Sequence, residues 1–397
     1  MNKYKIWLFF FLTMPVMAYG QEHTELEQLI EQALNNNKTL ESLRFKVESS
    51  KANMGTAFDF EKTNVYLGYD ENNIAPNEKA LWVMGIGQSF AFPTVYGVSR
   101  RLYRSQWEQQ QAAYEIEKNK LALDVARQYE QVVYLQQKEK LYRRLDSLYR
   151  DFSKAGNRRF ELGETNYLEK ITAEAKARQV HTTLLQLLKQ KEAGYDLLKS
   201  LIQADDSMTI SKDSLEVLVL QGSTGRELQD DYMEKVSNMY EFQLKQQNQN
   251  WLPDINIEFF TGTNKGLGYN QNGFQVGLSL PVFFTGNVAR RKTAKLDVQS
   301  WESQRNSNEL VMERFYRQKQ AELEGHMEMI KYYSENGKSL SREIIKTADM
   351  SYRNGEIDYF QYIQSMENAA DIEMEYMESI LSYNKSYLEL YYFNFNE

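Results

Sequence analysis

The chain has 397 residues, with 55 acidic against 47 basic side chains and no cysteine. The acidic balance excludes a nucleic-acid footprint, which needs a basic face. The missing cysteines exclude disulfides, thiolate metal sites and a lipid-modified N-terminal Cys.

Residues 1–20 read as a secretory signal peptide. Lys3 and Lys5 form the basic start, Ile6 to Val16 the apolar run, and Ala18-Tyr19-Gly20 the small-x-small cleavage site before Gln21. The run is short for a membrane anchor, which needs about 20 residues. Cleavage leaves 45 basic against 55 acidic residues.

A first block covers 21–203. It opens with a helix over 24–60, broken near Asn35, Asn36 and Asn37. Residues 63–92 then alternate in period two, Val65 and Leu67 on one strand and Trp82, Met84 and Ile86 on the next. This predicts a β-hairpin. A proline-free helix follows over 94–155, far longer than a compact domain needs. Leu141, Leu145, Leu148 and Phe152 step along it at coiled-coil spacing. A turn at 156–164 leads into a helix at 165–203.

Residues 204–228 read as a polar linker, with a short strand expected at Leu215 to Leu220. The second block, 229–397, repeats the order. A helix reaches Asn250, a hairpin spans 254–285, and a long helix spans 287–351. A turn at 352–357, a helix at 358–391 and a short tail complete it. In the hairpin, Ile255, Ile257, Phe259, Phe274, Val276, Leu278 and Leu280 alternate with Asn256, Glu258, Gln275 and Ser279.

The two blocks are an internal repeat. Gly87, Ser89, Val98, Arg100 and Arg101 match Gly277, Ser279, Val288, Arg290 and Arg291 at an offset of 190. Gly163, Glu164 and Tyr167 match Gly355, Glu356 and Tyr359 at an offset of 192. Pro76, Pro93, Pro253 and Pro281 all lie in or beside the hairpins, where they break no helix.

Four strands of this length suit a tilted membrane crossing but cannot close a barrel. Open sheet edges are excluded from the bilayer core, so several chains must each donate four strands. The apolar set then faces lipid and the polar set the lumen. Phe90, Phe92, Phe283 and Phe284 at the strand ends fit an aromatic girdle. Arg100, Arg101, Arg290 and Arg291 fit the barrel-to-tunnel junction at the membrane surface. A soluble sheet packed on helices would show the same alternation.

Across about residues 24–392 the chain resembles the TolC-like outer-membrane efflux protein family. The marks are Leu252-Pro253-Asp254, the run Gly277 to Phe283, the run Gly355 to Gln364, and Ser382-Tyr383-Asn384. The last two resemble most the branch serving heavy-metal resistance-nodulation-division (RND) pumps. The resemblance implies a mainly α fold with transmembrane β: a helical tunnel plus a homotrimeric barrel, four strands per chain and twelve in all. It implies a place in the Gram-negative outer membrane, reaching into the periplasm. Its implied partners are two further copies, outer-membrane lipid, a periplasmic adaptor (membrane fusion) protein and an inner-membrane RND transporter. In one pair of stacked helices 24–60 would meet 165–201, and in the other 228–250 would meet 359–390.

The resemblance also puts the two Gly-Glu turns at the periplasmic tip, where adaptor contact and gating occur. The residues there are Phe160, Gly163, Glu164, Tyr167 and Glu169, with Tyr352, Gly355, Glu356, Asp358, Tyr359, Gln361, Tyr362 and Gln364 in the second repeat. Gly163 and Gly355 suit a backbone conformation denied to other residues. Glu164 and Glu356 are expected at the starts of the following helices, where carboxylates favour the dipole. Other members narrow the tunnel with acidic residues where this chain carries Gln361 and Gln364. The gate expected here therefore uses amide hydrogen bonds and packing by Tyr167, Tyr359 and Tyr362.

His23, His181 and His326 are far apart, and no phosphate loop, zinc motif or nucleophile elbow occurs. His326 with Met327 and Met329 reads as a packing stripe rather than a copper site. No enzyme, cofactor or nucleic-acid partner is expected. The expected function is the exit duct of a tripartite pump, carrying metal cations. A drug-efflux or type I secretion duct is the alternative on the same fold. A soluble periplasmic coiled-coil scaffold or adaptor is the alternative of another class.

Overall fold

The computed structural model describes residues 24–71, 79–203, 209–220, 225–264 and 269–393. The signal peptide, His23, both hairpin tips and the end of the tail lie outside the described residues.

Helix α1 (Glu25–Asn36) starts in a capping box: Thr24 and Glu27 each satisfy the other's backbone N–H. Asn37 ends it and starts α2 (Lys38–Asn53). Its Oδ1 accepts from Thr39 N at 2.9 Å and Leu40 N at 3.0 Å. The Asn run therefore makes one sharp corner, not a loose break. A short 3₁₀ turn over Met54–Phe58 then leads to the sheet.

Strands β1 (Asn64–Asp70) and β2 (Leu81–Phe90) form one hairpin. Strands β3 (Asp254–Asn264) and β4 (Gln271–Ser279) form the other. Although distant in sequence, β2 and β3 pair directly, so the two hairpins make one antiparallel sheet in the order β1-β2-β3-β4. Its edges, β1 and β4, have no partner strand among the described residues.

Helix α3 runs from Pro93 to Glu161, 69 residues and roughly 100 Å. Proline opens it at the first helical position, where the lost N–H costs nothing. The turn expected from residue 156 begins only at Leu162. Gly156 stays helical because α3 and α4 (Tyr167–Ile202) approach closely there. A Cβ on Gly156 would touch the Ala173 Cβ at 3.6 Å.

Helix α5 (Gly225–Gln249) precedes β3. After β4 come α6 (Thr285–Tyr332), a π turn over Tyr333–Gly337, and α7 (Lys338–Arg353). Helix α8 (Tyr359–Tyr392) closes the described chain. The π turn lies inside the second long helix only. A π turn holds more residues than an α turn. It absorbs part of the two-residue excess by which the repeat offset grows from 190 to 192.

The helices form four columns side by side. Helix α3 packs against α4 and α2 on one flank and against α5 and α8 on the other. Helices α6 and α7 pack against α5 and α8. Two columns are stacks. The end of α4 meets the start of α2, with Lys38 N donating to Gln203 Oε1 at 3.2 Å. The end of α8 meets the start of α5 at Gly225. Helix α1 is not part of its stack; it lies against α3 and α4.

The strand expected at 215–220 does not form. This stretch has no regular secondary structure and joins no sheet. Side chains satisfy its backbone instead. Leu215 N donates to Gln137 Oε1, Leu218 N to Asn384 Oδ1 and Leu220 N to Tyr387 Oη. Ser211 N and Lys212 N donate to the Glu25 carboxylate. Burial of Leu215 and Ile210 pins the linker to the helical wall.

Candidate functional site: sheet face and helical tip

The register gathers the apolar side chains on one face. Val65, Ile86, Phe259 and Phe274 form one cross-strand row, and Leu67 stands opposite Met84. Ile257 faces Val276, and Ile255 faces Leu278. Except beside Ile255 and Ile257, where α3 starts, no described helix covers this face. Val65, Phe274 and Leu278 are 69, 67 and 63 % exposed, and Trp82 is the most covered of the exposed set on β2 at 41 %. Leu280, just past β4, is exposed as well. Burying apolar area of this kind is worth about 25 cal/mol per Å², so the face needs an apolar neighbour.

The opposite face carries Asn256, Glu258, Gln275 and Ser279. Glu258 pairs with Gln275, and Asn256 Nδ2 donates to Ser279 Oγ at 2.7 Å. Two aromatic residues, Tyr66 and Phe260, also lie on this face, and the expected lumen set included neither. The Tyr66 ring lies over Gly85 and donates its hydroxyl to Glu258. The Phe260 ring lies over Gly273. Each glycine stands directly across from its ring, so a Cβ there would enter it. The available signal was a glycine opposite an aromatic residue in the alternation, once the register was known.

Below the sheet, Arg100 and Arg101 lie in α3 and Arg290 and Arg291 in α6, all four exposed. Phe283 and Phe284 are exposed too, and the Phe284 ring lies tilted against Trp251 at 5.9 Å. Phe90 contacts Phe60 at 5.7 Å.

At the far end, the two turns share one geometry. Gly163 and Gly355 both take φ of 73°, the left-handed region. Glu164 N donates to Arg159 O at 2.8 Å and Glu356 N to Ser351 O at 2.8 Å. Gly163 N donates to Phe160 O and Gly355 N to Tyr352 O. These are paired Schellman closures, which satisfy the last helical carbonyls. Glu164 and Glu356 thus belong to the ends of α3 and α7, not to the next helix starts. The Glu356 carboxylate accepts from Ser351 Oγ and Asn354 Nδ2. The following helices are capped by Asn166 and Asp358 instead.

The third residue of each following helix separates the two tips. Gln361 closes a capping box with Asp358, accepting from Asp358 N at 3.1 Å. Glu169, its counterpart, turns away from its cap. It accepts from Thr165 Oγ1 and pairs with Arg159 at 3.0 Å. Arg159 also donates to Tyr352 Oη at 3.1 Å, which joins the end of α3 to the end of α7. A charged contact therefore exists at the tip, through Arg159, which sequence reasoning passed over.

The expected tyrosine gate is corrected in part. Tyr359 and Tyr362 are buried within the chain, 3 and 2 % exposed, against Tyr149, Ala348 and Met366. Phe152 and Tyr352 pack on Tyr362 at 4.5 and 4.8 Å. Burial pushes the Tyr362 hydroxyl up to about 12. These rings lock helices of one chain together. Tyr167 is exposed and rests on Phe160 at 5.8 Å, while Gln361 and Gln364 face outward.

Among the described residues no group of His, Asp and Glu could hold a metal ion. His181 pairs with Asp146 at 3.1 Å. No described helix is long and apolar enough to cross a membrane.

No protein-family model and no curated protein matches the chain. Solved structures do. A membrane protein from Pseudomonas aeruginosa matches with TM-score 0.79 and 15 % identity, over 93 % of both chains. The outer-membrane channel OprN matches at 0.77 and 13 %, over 92 % of this chain and 89 % of that one. The CmeC outer membrane channel of Campylobacter jejuni matches at 0.75 and 14 %, over 92 and 84 %. The four-column helical wall and its four-stranded sheet are therefore the TolC-like fold, shared with these outer-membrane channels over nearly the whole chain.

Proposed function

We propose that the chain is the outer-membrane exit duct of a tripartite efflux system. One observation carries this reading: the chain is an open strip whose two tiers end on the same sides. Strand β1 follows the α4–α2 column, and β4 leads into the α6–α7 column. The sheet edges are free, and the outer columns expose Leu185 and Leu197 on one side and Leu296, Leu310 and Val311 on the other. Two unlike edges joined head to tail generate a ring. Three copies would give twelve strands and close both sheet and wall, which lipid demands of any sheet within it.

In this reading the apolar sheet face meets lipid, and Glu258 and Gln275 line the lumen. The tip turns meet an adaptor protein, and an inner-membrane RND pump supplies the energy. The cargo is metal cations, on the strength of the marks at Gly355 to Gln364 and Ser382 to Asn384. The gate is formed by the outward-facing Gln361 and Gln364 with Tyr167, held in place by the buried tyrosines behind them.

Planar-bilayer recording in a metal chloride solution tests gate and cargo together. The protein should conduct with cation selectivity, and Gln361→Ala should raise its resting conductance. Unchanged conductance would remove Gln361 from the gate, and anion selectivity would oppose a metal-cation cargo.

A further inference from the structure

Where the helical wall meets the sheet, the outer face carries an apolar groove of about 470 Å³. Its lining includes Phe58, Phe90, Pro93, Tyr96, Ile255 and Ile257. Phe58 comes from the 3₁₀ turn after α2, Phe90 from the end of β2 and Tyr96 from the first turn of α3. Phe90 stands opposite Ile255 in the register, so the floor continues the apolar sheet face without a step.

The wall is aromatic. Tyr96 stacks on Phe58 with centroids 6.1 Å apart and contacts Phe60 at 5.3 Å. Phe58 and Phe60 remain about half exposed, at 48 and 51 %. The Tyr96 hydroxyl is turned inward and accepts from Ala91 N at 2.9 Å, so it gives the groove no polar floor.

The rim is cationic. Arg100 sits one helical turn beyond Tyr96, and its guanidinium lies 6.0 Å from the Phe58 ring centroid. Arg101 follows one turn beyond Gly97, which also lines the groove. Neither forms an ion pair with a described residue. An apolar trough with aromatic walls, with two arginines that lack an ion pair to a described residue one helical turn beyond it, matches one kind of molecule. It needs a hydrocarbon tail and an anionic head at a fixed separation.

We propose that this groove binds a glycerophospholipid of the surrounding leaflet, one acyl chain lying on Ile255 and Ile257 and its phosphate on Arg100 and Arg101. The proposal rests on the membrane reading above and adds a specific lipid site to it. Bound lipid would fill the corner between α2 and the sheet, which no described side chain fills.

Native mass spectrometry of the assembled protein, extracted from its own membranes in mild detergent, counts the phospholipid retained. The wild type should keep one per chain. Arg100→Gln should lower retention about fivefold, the value of one cationic side chain at a lipid surface. Phe58→Ala should lower it as well, with the oligomer still intact in the same spectra. Wild-type protein free of phospholipid, or variants that retain as much as the wild type, would overturn the proposal. So would a crosslinker at position 58 that captures a neighbouring copy instead of lipid. Protein recovered from cells without detergent would mean that the membrane reading itself had failed. A membrane-inserted but lipid-free protein would sink this inference alone.

Discussion

Replacing Asn384 by leucine should destabilise the protein by roughly 3–5 kcal/mol, because one buried and two partly buried polar groups lose their partner at once. Asn384 is fully buried in α8. Its Nδ2 donates to Glu130 Oε2 at 2.7 Å and to Glu216 O at 2.8 Å, and its Oδ1 accepts from Leu218 N at 2.9 Å. One side chain thus fastens α3, α8 and the linker together. The thermal midpoint in detergent should fall by roughly 5–10 °C, and trypsin should cut at Lys212 much faster. A midpoint within about a degree of wild type, with unchanged digestion, would refute the clamp.

Glu130 gives the same site a pH signature. Its other carboxylate oxygen is buried with no hydrogen-bond partner. Burial raises its pKa, against the opposing pull of the Asn384 hydrogen bond. The folded state then prefers the neutral carboxyl. That preference supports folding below the ordinary carboxylate pKa and is lost as pH rises through the raised value. Glu130→Gln should therefore match the wild type in acid and exceed it at pH 8, by about 1 kcal/mol.

Among the described glycines, Gly225→Ala should be the most damaging substitution, since it gives the closest overlap. A Cβ there would overlap the main-chain carbonyl of Tyr392, where the end of α8 abuts the start of α5. Backbone cannot turn aside as a side chain can, so the stack must separate. Overpacking of this kind costs about 1–3 kcal/mol or more. Phe393 would shift too, and with it the packing of Phe315 against its ring at 5.6 Å. Gly325→Ala is the matched control, since a Cβ on that α6 glycine meets nothing within 4 Å. It should stabilise by roughly 0.5–1 kcal/mol. Thermal midpoints of the pair in one detergent check the claim, and equal midpoints would contradict it.

What could be read in advance was what depends on local spacing. Alternation at Ile255 to Phe259 and at Phe274 to Leu280 is a property of the strand itself, so the exposed apolar face followed from it. Gly163 and Gly355 were legible because only a helix end needs that backbone angle repeated at matched places. The end of α3 was misjudged because Gly156 looks like a breaker in one dimension. It is a close-packing residue once Ala173 is beside it. The side-chain ladder along 209–220 was illegible for a similar reason. Its partners, Glu25, Gln137, Asn384 and Tyr387, come from three helices. Tyr359 and Tyr362 were assigned to the gate because the resemblance puts the turn beside them at the tip. Their true neighbours on α3, Tyr149 and Phe152, come from the other half of the chain. The growth of the repeat offset did hint at the π turn, since extra residues inside a long helix must be stored somewhere.

The central claim is that other copies complete the sheet. The chain has no cysteine of its own, so introduced pairs report without background. Within one chain β1 and β4 are three strand spacings apart, about 14 Å. A disulfide needs Cα atoms within about 7 Å. A bond between β1 and β4 can therefore form only between chains. Leu67→Cys should be combined in turn with Phe274→Cys, Val276→Cys and Leu278→Cys, oxidised in intact membranes and run on a denaturing gel. At least one pair should yield covalent species of up to three chains, lost on reduction. If every pair leaves only monomer, the edges do not meet and the barrel does not exist.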